Sequence, residues 1–514
     1  MKGQSYHWAD LAAENVIKNF KDNKLFTCAA GITPSGTVHI GNFREAITVD
    51  LVSRALRDKG KKVRFIYSWD DYDRLRKIPK NFPKQDLLKK YLGKPITDTP
   101  DPFDCHKSYA EHLEKEFEKE LPKVGIAPEF LYQNKKYRKC EYADNIKYVL
   151  TQKEKIRTIL DKHREEKLPE DWIPLSVYCE KCNTDETKII DYDERYTITY
   201  SCKCGHENTI DFRKKGIVKL PWRLDWPMRW YHEKVNFEPG GKEHSTPGGS
   251  RDTSKEIFEL LYAERKPPFY LMYDYIIIKG VGGKMSSSLG NVITLRDALN
   301  IYESKVLRWI FAGTRPNTEF SISFDLDVLK NYEDFDKLER IYYGNDKGKE
   351  KDAEKLKRIY ELSCVGKPSK NIPQQIPFRH LTTLLQIHEN NLNGVIKEHK
   401  IKDKERLICV KNWLEKYAPE DFKFKLVDKV TAKPKKEYKE AILELAGKLQ
   451  KKRFDEQSLF NEFYIICNER GLDNKEFFKT AYNVLIDKDK GPKLANFILT
   501  IGQERVIKIL KQLK

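Results

Sequence analysis

His39 brings an imidazole and Lys284 a primary amine into two loops rich in glycine and hydroxyls, a pairing suited to holding charged oxygens. His39 lies in GITPSGTVHIGN, where Gly31, Thr33, Pro34, Ser35 and Gly36 lead up to the imidazole and Gly41 and Asn42 follow it. Ahead of that loop, LFTCA is a short apolar run that reads as a buried parallel strand. Behind it, Ile40, Phe43, Ile47, Leu51, Ala55 and Leu56 recur at three- and four-residue steps, so a helix packs one face on the sheet. A strand that enters a helix through a glycine-rich turn aims backbone N–H groups and the positive helix end at one point, which suits a phosphate. His39 enters that point as a neutral or a cationic donor, and Gly36 and Gly41 let a nucleotide lie against the backbone.

Lys284 lies in VGGKMSSSLGN, residues 281 to 291, with a Gly-Gly hinge before it and Met285, Ser286, Ser287 and Ser288 after it. Such a loop can fold over a triphosphate. It is not a Walker A sequence, because Met285 stands where Ser or Thr should follow the Gly-Lys pair, and it is not a dinucleotide fingerprint. GGKEHSTPGGS adds His244, Gly248 and Gly249 in a stretch too glycine-dense and too short for a core element, hence a loop open to a ligand, followed by a helix capped near Asp252.

Carboxylates and aromatic rings form a second group of candidates. VRFIYS reads as the next strand, and Asp70, Asp71 and Asp73 lie just past its carboxyl end, where open α/β sheets place their ligands. They either receive a cationic group or cap the next element. Strand character returns over GIVKLPWRLDWPMRWYHEKVNFEPGGKEHSTPGGSRDTSKEIFELL, within which KLPWRLDW puts Trp222 and Trp226 around Asp225, either as walls for an alkylammonium or as packed core. Tyr270 and Tyr273 precede the last strand and are expected to line the same pocket.

The cysteines point to metal. Ten in a chain of 514 residues are no disulfide scaffold, and several cluster at ligand spacing. YCEKC supplies Cys179 and Cys182, SCKCGHE supplies Cys202 and Cys204, and the strand-like TKIIDYDERYTITY between them makes a hairpin: a zinc ribbon with a closed, structural tetrahedral site for Zn2+. The second knuckle is C-x-C, so His206 stands as a possible substitute for one of its cysteines. Asp101, Cys105, His106 and His112 fall within a dozen residues as a weaker second set, open either to one cation or to an ordinary reading as surface histidines beside a thiol.

The elements that must position these groups follow from the order of the chain. A short amphipathic helix (Leu11, Val16, Ile17, Phe20) leads into the first strand, the α/β rhythm stops near residue 96, and beyond residue 300 the pattern turns helical. Apolar stripes run through Tyr438, Ile442, Leu445 and Leu449, through Leu459, Phe463 and Ile466, through Phe477, Ala481 and Leu485, and through Leu494, Phe497, Ile498 and Ile501. Residues 365 to 378 are proline-studded and read as a linker. The net charge of +18 attracts a polyanion, and from residue 331 onward 39 Lys plus Arg stand against 29 Asp plus Glu, so the surplus is denser where no catalytic motif occurs. No run approaches a membrane span and MKGQSYHWAD lacks a signal segment, so the expectation is a cytoplasmic protein with no membrane partner.

Taken together, TPSGTVHIGN, SWDDYDRLRKIP, LPWRLDWPMRW, GGKEHSTPGGSRDTS and KMSSS resemble the signature stretches of class I lysyl-tRNA synthetases across nearly the whole chain. Asn42 replaces the final histidine of the usual HIGH, and Ser287 the second lysine of the usual KMSKS, which leaves Lys284 more of the phosphate charge. The resemblance implies an α/β, Rossmann-type catalytic core split by a zinc-binding insertion, then an all-α anticodon-binding part similar to that of bacterial glutamyl-tRNA synthetases. The divisions expected are 1–95 and 216–300 for the core, 96–215 for the insertion, 301–370 for a helical stem-contact linker and 371–514 for the anticodon-binding part. It further implies L-lysine, ATP with Mg2+ and tRNALys as partners, tRNA-dependent activation, and action as a monomer. His39 and Lys284 become catalytic. Pro34, Ser35, Gly36, Gly41, Asn42, Gly248, Gly249 and residues 285 to 288 become ATP contacts, while Gly31, Thr33, Trp222, His244 and Tyr273 frame the amino acid and Asp70 or Asp225 faces its ammonium. Two competitors remain: a synthetase of the same class for arginine or glutamate, and a zinc-ribbon RNA-binding protein whose nucleotide site has decayed.

Overall fold

In the computed structural model the described residues are 7–279, 292–347 and 352–513. They form two compact units, the first taking residues up to 299 with 304–322 and 340–370, the second 300–303, 323–339 and 371–514.

The first unit is built on five parallel strands: β1 Leu25–Ile32, β2 Lys62–Trp69, β3 Glu129–Tyr132, β4 Val235–Gly241 and β5 Phe269–Tyr273, in spatial order β5-β4-β1-β2-β3. Parallel neighbours need crossover connections, and the longest helix supplies the first of them. Helix α1 is Trp8–Asn19 and α2 is Ile40–Asp58; all six apolar positions read from the sequence of α2 are buried. Further helices of the unit are α3 Tyr109–Glu120, α4 Trp222–His232 and α5 Ser250–Leu261. The chain builds outward from β1 in one direction through β2 and β3, then returns to its other side with β4 and β5. The carboxyl ends of β1 and β4 therefore flank a topological switch point, where such sheets open a crevice.

Three expectations need correction. Strand β3 falls inside 96–215, so the sheet takes its edge from the span assigned to the insertion. In the stretch from Gly216 onward strand returns at Val218–Lys219 and in β4, but between them Trp222 begins α4, because Pro221 opens a helix at no hydrogen-bond cost and Trp222, Trp226 and Trp230 recur at four-residue steps. Tyr270 and Tyr273 lie within β5 and precede the last strand of that stretch, Ile276–Lys279, as expected. In α1 the packed face is Ala9, Ala12, Ala13 and Val16, while Leu11 faces solvent.

The ribbon residues form the expected hairpin, Thr187–Tyr192 with Thr197–Cys202, extended by a third antiparallel strand, Glu207–Asp211. From residue 371 the described elements are all helices, and the stripes of Lys436–Lys451, Glu456–Arg470, Asn474–Ile486 and Leu494–Ile501 meet in one core that buries Ile442, Leu459, Phe463, Phe477, Leu485 and Phe497. Tyr438 is only half-buried at its edge. The unit boundary at residue 370 falls within the proline-studded stretch. No helix among the described residues is long and apolar enough to cross a membrane.

Candidate active site and metal centres

His39 is the N-cap of α2. Its Nδ1 accepts the Gly41 N–H at 3.0 Å, and its own N–H donates to Asn42 Oδ1 at 3.0 Å, so Asn42 closes a reciprocal cap. Burial lowers the His39 pKa to about 4, so the ring is neutral at pH 7. With Nδ1 accepting, the single ring proton sits on Nε2. The residue is thus a neutral donor at a helix N-terminus, and of the two protonation states open from the sequence only this one survives.

The preceding loop is pinned from several sides. Tyr109 OH donates to the Ser35 carbonyl at 2.8 Å, Thr33 Oγ1 donates to Asp73 Oδ2 at 2.9 Å, and Pro34 and Gly36 are buried. A Cβ on Gly31 would come 2.6 Å from the Ser68 carbonyl oxygen, so the close approach of β2 demands glycine there.

Lys284, Met285, Ser286, Ser287 and Ser288 lie outside the described residues. The chain just after them does not. Ile40 N–H donates to the Ile293 carbonyl at 2.8 Å, and His39 forms an isolated antiparallel bridge with Thr294. On the other side, Arg44 of α2 donates to the Asp274 and Tyr275 carbonyls, at 2.5 and 2.8 Å. Both flanks of the lysine-bearing segment are therefore tied to the helix that starts at the imidazole.

The carboxylates past β2 are already engaged. Arg229 lies between Asp70, at 2.5 Å, and Asp225, at 3.2 Å, and Tyr137 OH donates to Asp225. Asp71 accepts the Asn134 N–H at 2.8 Å, and burial raises its pKa to about 6. Asp73 pairs with Lys219. Asp70 and Asp225, the two carboxylates expected to face the ammonium, share the single guanidinium of Arg229.

A different carboxylate sits under the tryptophans. Trp226 Nε1 and Trp230 Nε1 donate to the two oxygens of Glu238, at 3.0 and 2.5 Å, and burial raises the Glu238 pKa. Gly31, Asp70, Trp222, Trp226, Arg229 and Glu238 line one cavity at the ends of β1 and β4. Trp222 stacks on Trp226 with ring centroids 4.9 Å apart. Nearby, Glu45 accepts the Gly31 N–H at 2.8 Å and the Tyr273 hydroxyl at 2.7 Å, and burial lifts its pKa to about 8. Sequence reasoning missed both glutamates: Glu45 is one acidic residue on a long amphipathic helix, and Glu238 one on a strand. The tryptophan repeat was the available signal, since a helix carrying indoles at four-residue steps presents their N–H groups along one side.

The structure gathers Gly31, Asp70 and Trp222 around this cavity, but Thr33, Asp225 and Tyr273 face other partners. His244 is adjacent, its ring 5.8 Å from Trp226 and its Nδ1 2.8 Å from Ser250 Oγ. Gly248 adopts φ +70 and donates its N–H to Asp252 Oδ2 at 3.1 Å, so the turn into α5 requires glycine and uses the acid read as its cap.

Two cysteine-bearing clusters converge. Cys179 and Cys204 sulfurs stand 3.7 Å apart, Cys182 and Cys202 sulfurs 3.6 Å, and all four lie within 4.8 Å of one another. Tetrahedral zinc thiolate, with bonds of about 2.3 Å, needs sulfur separations of about 3.8 Å. Burial opposes the Cys182 thiolate, but hydrogen bonds from Thr184 and the neighbouring thiols outweigh it and bring the pKa down to about 6. Four thiols complete the set, so His206 is not needed and stands outside it, its ring against Tyr200. In the second cluster Cys105 Sγ is 3.1 Å from His106 Nδ1 and 3.2 Å from His112 Nδ1, with Asp101 Oδ2 at 3.4 Å. The His112 Nε2 faces Glu116 at 3.6 Å, the outer contact that orients a ligating imidazole.

A family model described as tRNA synthetases class I (K) matches residues 6–366. Aligned over 98% of its length, the chain is 52% identical to the lysine–tRNA ligase of Borrelia garinii subsp. bavariensis, 99% of which is covered. It is 46% identical to that of Treponema pallidum, with 99% and 98% covered, and 42% identical to that of Pyrococcus horikoshii, with 98% and 99% covered. The likeness to these three ligases therefore extends through the second unit.

Proposed function

The chain belongs to the tRNA synthetases of class I (K), and from that premise we propose that it activates L-lysine with ATP and passes the lysyl group to the 3′-terminal adenosine of tRNALys, with AMP and diphosphate as the other products. The observation that supports the assignment of roles is the bond between Ile40 and Ile293, which ties the chain just beyond the lysine-bearing segment to the first residue of the helix that His39 caps.

The carboxylate of lysine is ionised at pH 7, so its attack on the α-phosphorus needs positioning and charge stabilisation and no general base. His39 presents a neutral Nε2–H and the N-terminus of α2 adds its partial positive charge, so the two hold the phosphates of ATP without an ionised side chain. Lys284 meets the charge that develops on the departing diphosphate. Mg2+ carried with ATP neutralises further phosphate charge. The side chain of the substrate lies along Trp222 and Trp226, and its ammonium faces Glu238, which two indole N–H donors hold in place. A carboxylate whose direct partners are indole N–H groups, with Arg229 and Arg251 acting on it only through space, selects a positively charged side chain.

The thiolates of Cys179, Cys182, Cys202 and Cys204 hold Zn2+ as a structural ion, and Asp101, Cys105, His106 and His112 hold a second cation beside α3. The helical second unit, rich in lysine, binds the anticodon side of tRNA. The reading retains the expectation of a cytoplasmic monomer.

Diphosphate exchange into ATP with lysine, arginine or glutamate, each with and without total tRNA, tests this function. Lysine alone should support exchange, and only with tRNA present. Exchange with another of the three, or none despite tRNA binding, would overturn it.

A further inference from the structure

We propose that His388, Glu398 and His399 form a metal site in the second unit, separate from both cysteine-bearing clusters and from aminoacyl transfer, that takes a divalent cation of the zinc class through two imidazoles and one carboxylate. The site lies where two helices end. Helix α6, Phe378–Ile387, is closed by His388 as its C-cap, and helix α7, Leu392–His399, carries Glu398 and His399 in its last turn. The short link between them reverses through Glu389 and Asn390, both in the left-handed region at φ 50 and 63. Two helix C-termini direct the negative ends of their dipoles at this place, which favours a cation.

The spacing fits an ion better than it fits hydrogen bonds. His388 Nε2 lies 3.7 Å from Glu398 Oε2, and His399 Nε2 lies 4.0 Å from Glu398 Oε1; one donor atom from each of the three residues lies within 4.8 Å of the others. Those gaps exceed hydrogen-bond length, whereas tetrahedral coordination with bonds of about 2.0–2.1 Å separates neighbouring donor atoms by about 3.3–3.5 Å. The rings stand at 87° with centroids 5.7 Å apart, so they do not stack on each other. Most telling, His399 Nε2 is buried and has no hydrogen-bond partner, an orphaned nitrogen at the point where a ligand atom belongs.

Nitrogen and carboxylate donors suit Zn2+, Co2+ and Ni2+, and lack the sulfur that marks the other two clusters. With three protein ligands the ion keeps one position for water, and its role is to clamp the last turn of α7 to the end of α6.

The test uses the full-length protein, isolated with its thiolate sites occupied by zinc, and Co2+ alone as the probe. Wild type should take up one further equivalent, with d–d absorption and no sulfur-to-cobalt charge-transfer band, and amide exchange over residues 389–399 should slow on addition. His399→Asn and Glu398→Gln should lose that equivalent and the exchange effect while keeping lysine-dependent diphosphate exchange, which reports an intact fold. If His399→Asn loses that activity, His388→Asn is read in its place and should show the same loss of uptake. Equal cobalt uptake in wild type and these variants, a charge-transfer band on the added equivalent, or unchanged amide exchange would overturn the proposal.

Discussion

Ile40 donates its N–H to the carbonyl of Ile293 across 253 positions of sequence, at 2.8 Å, and the His39–Thr294 bridge lies beside it. The first residue of the helix that His39 caps is thus the anchor for the chain emerging from the lysine loop.

Replacing His39 by Asn retains a good N-cap but removes the Nε2–H donor. Adenylate formation should fall by about 100- to 1,000-fold, the cost of one lost donor to a developing charge, with little change in tRNA affinity. Stopped-flow adenylate formation and filter binding would check this.

The same residue sets a pH dependence. The folded pKa of about 4 lies below the usual 6.5, so the unfolded chain binds the extra proton first, and stability falls as the pH drops from 6.5 towards 4. The slope contributed is about 1.4 kcal/mol per pH unit within that window and zero above it. Subtracting urea-unfolding curves of His39→Asn from those of wild type at several pH values should isolate the slope; a flat difference contradicts the buried neutral ring.

Glu238→Gln should raise KM for lysine by about 10- to 100-fold, because a charge-assisted contact of about 1.5–3 kcal/mol is lost, and leave KM for ATP unchanged. Equal effects on both substrates would move Glu238 out of the ammonium pocket.

Cys182→Ser should lower the zinc content by one ion per chain and open the three-stranded ribbon to proteolysis between residues 176 and 211 while the parallel sheet remains protected. Metal analysis with limited proteolysis reads both. Unchanged zinc content would leave the four thiols without the proposed role.

In the second unit Arg406 is buried between Glu303, at 2.5 Å, and Asp336, at 2.8 Å. Arg406→Ala should destabilise that unit by about 3–5 kcal/mol, since two carboxylates then stay buried without their cation. Denaturant unfolding followed by Trp413 fluorescence, a buried reporter in the same unit, measures it.

The parts legible in the sequence were those that local physics decides. The strand–loop–helix around His39, the thiol knuckles and the helical stripes after residue 436 each announce themselves within a few turns, because periodic burial and ligand spacing are properties of neighbouring residues. Even the departure at Asn42 has a local reason, since its amide closes the His39 cap. Helix α4 was misread because two prolines and three tryptophans carry strand-like composition, although their four-residue repeat is helical.

By itself, then, the sequence determined the α/β character of the first part, the neighbourhood of the imidazole and the cluster of four thiols. Tertiary structure alone decided how the carboxylates are partnered: Asp70 and Asp225 share Arg229, Lys219 takes Asp73, and Glu238 accepts two indole N–H groups. It also made His39 neutral, through burial. Charge pairing and desolvation depend on which distant groups fold into contact, and no spacing along the chain encodes that.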